Sequence, residues 1–384
     1  MNKKVIGSYS RRKFLHDLSI QAGMAALAMN GAALIYSCDD NKDKTNKDSV
    51  DKSNQKKLGV ALVGLGGYSS GQLGPALRET QNCYLAGIVT GTPAKADTWK
   101  SRYDIPEKSI YNYENFDTIK DNPDIDIVYV VLPNAMHAEY VVRAAKAGKH
   151  VICEKPMAVT VDDCDRMIAA CNAAGKMLSI GYRLHFEPYN KEMARLGQQK
   201  VYGNLKKMSA GFAFTAGDKN QWRLKKALSG GGPLMDVGIY CIQGMCYTTG
   251  MEPIAVRAQE GAKTDLERFS EVEQSLTWQF EFPGGLIADG KTSYAEGYNF
   301  LKAEAEKGSF ELTSAYGYSG QQGRTTEGKM DFPRVNQQAR QMDDFADAIR
   351  NKRQTQVPGE MGRRDVKLLQ AIYKAMKTGE RIAI

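Results

Sequence analysis

The chain has 384 residues, 42% hydrophobic and 25% charged, the usage of an ordinary globular protein long enough for two domains at roughly 100–200 residues each. Its net charge of +8 does not point to nucleic acid, because much of the basic excess lies in residues 1–57 and the remainder mixes both signs without a basic, aromatic-laced stripe. The seven cysteines contain no C-x-x-C pair, so neither a zinc knuckle nor a thioredoxin-type centre is indicated, no metal site is expected, and they read as small buried hydrophobes.

Ser10-Arg11-Arg12-Lys13-Phe14-Leu15 opens an apolar stretch over residues 20–36, the layout of a secretory leader. The S-R-R-x-F-L string resembles a twin-arginine export signal, with His16 where lysine is commoner. Such a signal implies the twin-arginine export machinery as a partner, and a protein that folds before crossing the membrane. Folding in a reducing compartment also suits unpaired cysteines. Ile35-Tyr36-Ser37-Cys38 is a loose lipobox, which makes Cys38 the expected lipidated first residue of a periplasmic, tethered protein; cleavage and release is the alternative. Residues 1–37 thus read as a leader, and 38–57, polar and free of aromatics, as a flexible linker.

Leu58–Val63 is an apolar run of strand length, followed at once by Gly64-Leu65-Gly66-Gly67-Tyr68-Ser69 and then a helix to about residue 80. Strand, glycine turn and helix together form a dinucleotide site. Gly64 permits the tight turn, Gly66 lets backbone approach the pyrophosphate, and the helix N-terminus favours the anion. Gly67 and Tyr68 belong to the same contact surface, and Ser69 stands where a third glycine is usual. A glycine-rich connection in some other α/β fold is the alternative for this segment alone. Strands follow at 84–89, 125–132 and His150–Cys153, with helices over Pro93–Tyr103 and 137–147. This alternation predicts a doubly wound parallel sheet, and the nearly continuous apolar run at 125–132 suits a strand buried on both faces. NAD sites usually place an acid at the end of the second strand for the ribose 2′-hydroxyl. Here stand Thr90, Thr92 and Lys95, which suit a 2′-phosphate, so NADP is expected, with NAD as the alternative.

Further along come Leu132-Pro133-Asn134-Ala135-Met136-His137, Glu154-Lys155-Pro156, Gln221-Trp222-Arg223-Leu224 and the glycine-rich Gly230-Gly231-Gly232-Pro233-Leu234-Met235-Asp236-Val237-Gly238-Ile239-Tyr240. In this order and spacing they resemble the glucose–fructose oxidoreductase/inositol dehydrogenase (Gfo/Idh/MocA) family from about Leu58 to the C-terminus, most strongly its periplasmic glucose–fructose oxidoreductases. The resemblance implies an α/β Rossmann dinucleotide-binding domain over 58–181. It implies next an α+β domain with a large, mostly antiparallel sheet over 182–384, used for substrate binding and for assembly into a homo-oligomer, a dimer or tetramer. Strands at 206–215, 273–282 and 286–292, with a Phe282-Pro283-Gly284-Gly285 turn, and helices Gln337–Arg350 and Gly359–Thr378 accommodate that domain. The resemblance also implies that the last helix packs back on the first domain, and that Leu132, Pro133, Asn134, His137, Glu154 and Lys155 meet the cofactor.

Oxidising a secondary alcohol needs a base for the hydroxyl proton and a pocket that holds the carbon against the nicotinamide. Lys155 follows a strand's C-terminal end, where open α/β sheets place their sites, and by resemblance it contacts the reacting hydroxyl. If Pro233 starts a helix, Asp236 and Tyr240, four apart, share a face. A phenol needs a nearby cation to serve as a base. Tyr240 is therefore expected to move the proton, Lys155 to help electrostatically, and Asp236 to orient. Arg183 and His185 are expected to border the pocket and Trp222 and Arg223 to line its sugar side, with ordinary packing as the alternative for all four. The expected function is hydride transfer between NADP and a small-molecule sugar or polyol. One alternative is a glucose–fructose oxidoreductase with tightly bound NADP, although its proline-rich cofactor clasp has no counterpart, there being no proline from Asn2 to Gln55. An NAD-using glycosidase is another. A non-catalytic sugar-binding lipoprotein is the third, against which Lys155, Asp236 and Tyr240 argue.

Overall fold

The computed structural model describes residues 56–384; the expected leader, the lipidation site Cys38 and nearly all of the expected linker lie outside the described residues. β1 (Leu58–Val63) buries Val60, Ala61, Leu62 and Val63 completely, so both of its faces are covered, as a central parallel strand requires. β2 (Cys83–Val89), β3 (Ile110–Tyr111), β4 (Ile127–Val130), β5 (His150–Cys153) and β6 (Leu178–Ile180) complete a six-stranded sheet in the order β3-β2-β1-β4-β5-β6. Every pairing in it is parallel. Strand order reverses between β1 and β4, which opens a crevice beyond their C-terminal ends. The strand expected at 125–132 is shorter, because only Ile127–Val130 pair with β1 and β5.

The second sheet is built from β7 (Leu205–Ala213), β8 (Ala255–Glu260), β9 (Ser275–Glu281), β10 (Ile287–Ser293), β11 (Tyr298–Ala305), β12 (Gly308–Thr313), β13 (Gln322–Thr325), β14 (Gly328–Met330) and β15 (Ile382–Ala383). Its order is β14-β13-β12-β11-β7-β10-β9-β8-β15, antiparallel except where β7 meets β10. The turn between β9 and β10 holds Gly284 and Gly285 at φ +80° and +81°, values that favour glycine, and so sets the register Glu281 opposite Ile287. The helix Ile239–Thr249, buried along nearly its whole length, packs on β7, β10 and β11.

Two C-terminal helices tie the sheets together. Gln337–Arg350 packs on β2 and on the helix Gly74–Glu79, sharing a core with Leu73, Leu77 and Trp99. Gly359–Thr378 lies against the helix Val161–Ala173 and β6 on one side and β8 on the other. The six described cysteines are buried and free, and burial pushes the Cys83 and Cys164 thiols up to about 12. Among the described residues no helix is long and apolar enough to cross a membrane.

Burial depresses the pKa of His137, His150 and His185, and that of His150, also facing Lys176, falls to about 4. An unfolded histidine titrates at about 6.5, so between pH 6.5 and 4 these positions bind more protons in the unfolded chain than in the native one. The stability these groups contribute is complete above pH 6.5 and is lost as pH falls toward 4. Urea midpoints measured between pH 7 and 5 should therefore fall, and His150→Asn should make that fall shallower. An equal slope in the variant would contradict this.

Candidate active site

A cleft of about 1040 Å³ lies at the crevice between β1 and β4 and is closed on its far side by the second sheet. The glycine turn forms one wall. Gly64 has φ +96°, and a Cβ there would stand 2.6 Å from the Val131 carbonyl oxygen, so only glycine serves. At Gly66 and Gly67 a Cβ would meet nothing within 4 Å; it would instead fill the open cradle above the backbone, the space a pyrophosphate needs. The chain then enters a widened helical turn, Ser69–Leu73. Ser69 is fully buried and donates its hydroxyl to the Gly64 carbonyl at 2.6 Å, so it fastens the turn from behind and does not line the cleft.

At the end of β2, Thr90, Thr92 and Lys95 all line the cleft. The Thr90 hydroxyl accepts the Thr92 amide at 3.2 Å, while the Thr92 side chain makes no capping bond to the helix Pro93–Tyr103 and stays available. Among the described residues the acids lining the cleft are Glu154 and Asp236, and both stand with Lys155 and Tyr240, away from Lys95. Leu132, Pro133 and Asn134 continue the wall, and Asn134 also donates to the Ser229 carbonyl at 2.7 Å, joining the two sheets' loops. His137 is absent from the wall. It is fully buried, with Nδ1 3.0 Å from the Pro156 carbonyl and Nε2 2.8 Å from that of Leu132, and so braces one loop against the other. A dinucleotide fits this wall.

The opposite end of the cleft is organised around Asp236. Pro233 has helical φ and ψ, and a widened turn, Leu234–Gly238, leads into the helix Ile239–Thr249. The turn is pinned by the buried Glu273, which accepts the amides of Gly232 and Leu234 at 2.9 and 3.1 Å and the Tyr373 hydroxyl at 2.8 Å. Asp236 and Tyr240 thereby both face the cleft. The Lys155 Nζ donates to the Asp236 carbonyl at 2.6 Å, lies 3.5 Å from its Oδ1, and stands 4.6 Å from the centre of the Tyr240 ring. Arg223 Nε is 3.0 Å from Asp236 Oδ2, which also accepts the Tyr294 hydroxyl at 3.0 Å. Burial alone would raise the Asp236 pKa, but Arg223, then Lys155, outweigh it and hold the carboxyl below its usual range. Neighbouring Glu154 behaves oppositely: burial raises its pKa despite a 2.7 Å hydrogen bond from Tyr129.

Arg183 and His185 part company. Arg183 is buried yet lines the cleft, its guanidinium carbon 5.1 Å from the centre of the Tyr240 ring. His185 sits behind Tyr240, with Nε2 on the Gln243 amide oxygen at 2.8 Å and Gln243 in turn donating to Asp365. It does not line the large cleft, because a turn with three residues per revolution sets positions 183 and 185 about 120° apart; it instead borders a small void behind Lys155 and Tyr240. Trp222 and Arg223 both line the cleft, the guanidinium carbon 4.7 Å from the indole centre. Tyr113, Phe212, Phe214, Tyr316 and Tyr318 also line it, and Tyr294 and Glu273 hold its centre; none stands in a recognisable motif.

Two family models match the chain. One, described as "Oxidoreductase family, NAD-binding Rossmann fold", covers residues 58–182, and one described as "GFO/IDH/MocA C-terminal domain" covers 190–311. The D-xylose 1-dehydrogenase (NADP(+)) of Haloarcula marismortui is 28% identical over 335 residues, 83% of this chain and 91% of that protein. The D-glucoside 3-dehydrogenase of Escherichia coli is 27% identical over 279 residues, 67% of this chain and 79% of that one. The crystal structure of an aldose-aldose oxidoreductase from Caulobacter crescentus, complexed with glycerol, superposes with a TM-score of 0.83 at 41% identity, covering 86% of this chain and all (100%) of the other.

Proposed function

The chain belongs to the Gfo/Idh/MocA oxidoreductase family, and on that footing we propose that it is an NADP-dependent enzyme acting on an aldose or a related polyol. One observation carries the reading: Lys155, Asp236 and Tyr240 converge at one end of a cleft whose other end is an open glycine cradle. NADP, when bound, supplies the acceptor or donor of the hydride. Thr90, Thr92 and Lys95 are suited to its 2′-phosphate, two hydroxyls and a cation where an acid would repel it. The Asp236 carboxylate is committed to Arg223, Tyr294 and Lys155, so it orients and is not the base. The Tyr240 hydroxyl faces the cleft beside Lys155 and Arg183 and is assigned the proton transfer: as phenolate it takes the substrate's hydroxyl proton on oxidation, and as phenol it returns that proton on reduction. Lys155, beside the phenol ring, stabilises negative charge as it develops on the reacting oxygen. Trp222 offers an aromatic face to a sugar ring.

The 41% identity to the aldose-aldose enzyme over that chain's full length favours a second reading. In it one aldose gives up hydride and proton, NADP stays bound, and a second aldose receives both. Denaturing the purified protein and identifying any released dinucleotide by mass and absorbance separates the two. Retained NADP supports exchange. Cofactor-free protein that binds NADPH several-fold tighter than NADH supports an ordinary dehydrogenase. Equal or reversed affinity would remove the NADP assignment, and no binding of either would remove both readings.

Lys155→Ala should lower turnover on an identified sugar by about 10²–10³ while NADPH affinity stays within a few-fold, because the cation acts mainly on charge that appears in the transition state. Turnover at the wild-type rate would refute the role assigned to Lys155.

The same proposal extends to the leader: export through the twin-arginine machinery and tethering at Cys38, supported by Ser10-Arg11-Arg12-Lys13-Phe14-Leu15 and Ser37-Cys38. Cell fractionation with lipid labelling should place a labelled protein in the envelope, and Cys38→Ser should abolish the label. A cytoplasmic protein retaining Met1 would end the export reading, and an unlabelled, soluble periplasmic one would end the tether.

A further inference from the structure

Tyr68 belongs to the glycine turn on the Rossmann side of the cleft, and Tyr318 to the loop between β12 and β13 on the other. Their rings face each other with centres 6.0 Å apart and planes 30° apart, so the lip of the dinucleotide cradle touches the opposite wall. Tyr318 is 46% exposed and is therefore no part of the core. Its loop is nevertheless held unusually firmly. Arg183 donates to the Tyr316 carbonyl at 2.6 Å and to that of Gly317 at 3.0 Å, and its guanidinium carbon lies 4.5 Å from the centre of the Tyr318 ring. Gln321 donates to the Gly317 carbonyl at 2.6 Å, and Gln337 reaches the Gly317 and Tyr318 carbonyls at 3.2 and 3.3 Å. Three side chains thus hold successive carbonyls of one short loop. A side chain placed this rigidly loses little further freedom when it meets a ligand, which is the condition for a preorganised contact.

We propose that Tyr318, joined to Tyr68 across the cleft, retains the bound dinucleotide by bridging the two walls beside the glycine cradle. The inference rests on the dinucleotide reading above. A cofactor seated on the glycine turn shares this part of the cleft with both rings, and parting them is a step in its departure.

The rate of NADPH release from the loaded protein, followed by stopped-flow nicotinamide fluorescence after mixing with excess NADP, tests this directly. An aromatic pair of this kind corresponds to roughly a three- to tenfold change in rate. Tyr318→Ala and Tyr68→Ala should each speed release by that factor. The double variant should be no faster than the faster single, because one contact is lost only once. Tyr318→Phe, which keeps the ring, should release at the wild-type rate. Release unchanged in Tyr318→Ala, or rates that multiply in the double variant, would overturn the bridge while leaving the dinucleotide site intact. A wild-type protein that binds no NADPH would overturn both.

Discussion

The carboxylate of Asp236 is the interaction on which the rest of the site depends. It lies in the second domain, yet it holds Lys155 from the end of β5, Arg223 from the turn Trp222–Leu224 and Tyr294 from just beyond β10. Four segments distant in sequence meet at one charge. Asp236 is largely buried, and a buried charge is costly to leave unpaired. The two cations and the phenol are therefore held as firmly as the acid itself, and the position of Lys155 follows from how the second domain folds.

What holds Asp236 is a further layer of buried polar contacts. Glu273 collects two amides of the glycine strap and the Tyr373 hydroxyl, which sets the widened turn from which Asp236 and Tyr240 both reach the cleft. Gly232 has to be glycine there, since a Cβ would stand 2.5 Å from the Glu273 carbonyl oxygen. Behind Tyr240 the chain His185, Gln243 and Asp365 is anchored by Arg364, which grips Asp365 through Nε and Nη2 at 2.9 and 2.8 Å. Tyr373, Arg364 and Asp365 all lie on the helix Gly359–Thr378, so the helix that bridges the two sheets also braces the reacting end. Fold and site share the same supports.

Charge is divided along the cleft in a way that suits its two occupants. Lys95 and two threonines face one end, while the described acids that line the cleft, Asp236 and Glu154, stand at the reacting end, where Asp236 pairs with Lys155 and Arg223 and Glu154 lies under a hydrogen bond from Tyr129. One end offers the Lys95 cation and two hydroxyls to a phosphate. At the other end Asp236 offsets the charge of Lys155 and Arg223, as suits a neutral sugar. The aromatic lining of Trp222, Phe212, Phe214 and Tyr318 supplies apolar faces between the two.

The sequence by itself determined whatever depends on near neighbours. Leu58–Val63, Pro93–Tyr103, His150–Cys153, Gln337–Arg350 and Gly359–Thr378 stand where apolar periodicity and proline or glycine boundaries put them, because those signals act within one turn or one strand. The glycine turn was legible for the same reason; Lys155, Asp236 and Tyr240 were singled out by the family resemblance, together with the place of Lys155 after a strand end and the four-residue spacing of the other two, and all three line the cleft. The two-residue β3, the three-residue β6 and β14, and the parallel meeting of β7 with β10 carry no such pattern, since strands so short exist only through their partners. Ser69, His137 and His185 show the same limit within the site. Their chemistry suits a cleft wall, but a polar side chain can satisfy its hydrogen bonds equally well against a carbonyl or amide behind that wall, and only the packing of distant segments decides which side it takes. Tyr294, Tyr318 and Glu273 came to the site by tertiary structure alone, because the second sheet and its loops bring them to Asp236 and Tyr68 from far along the chain.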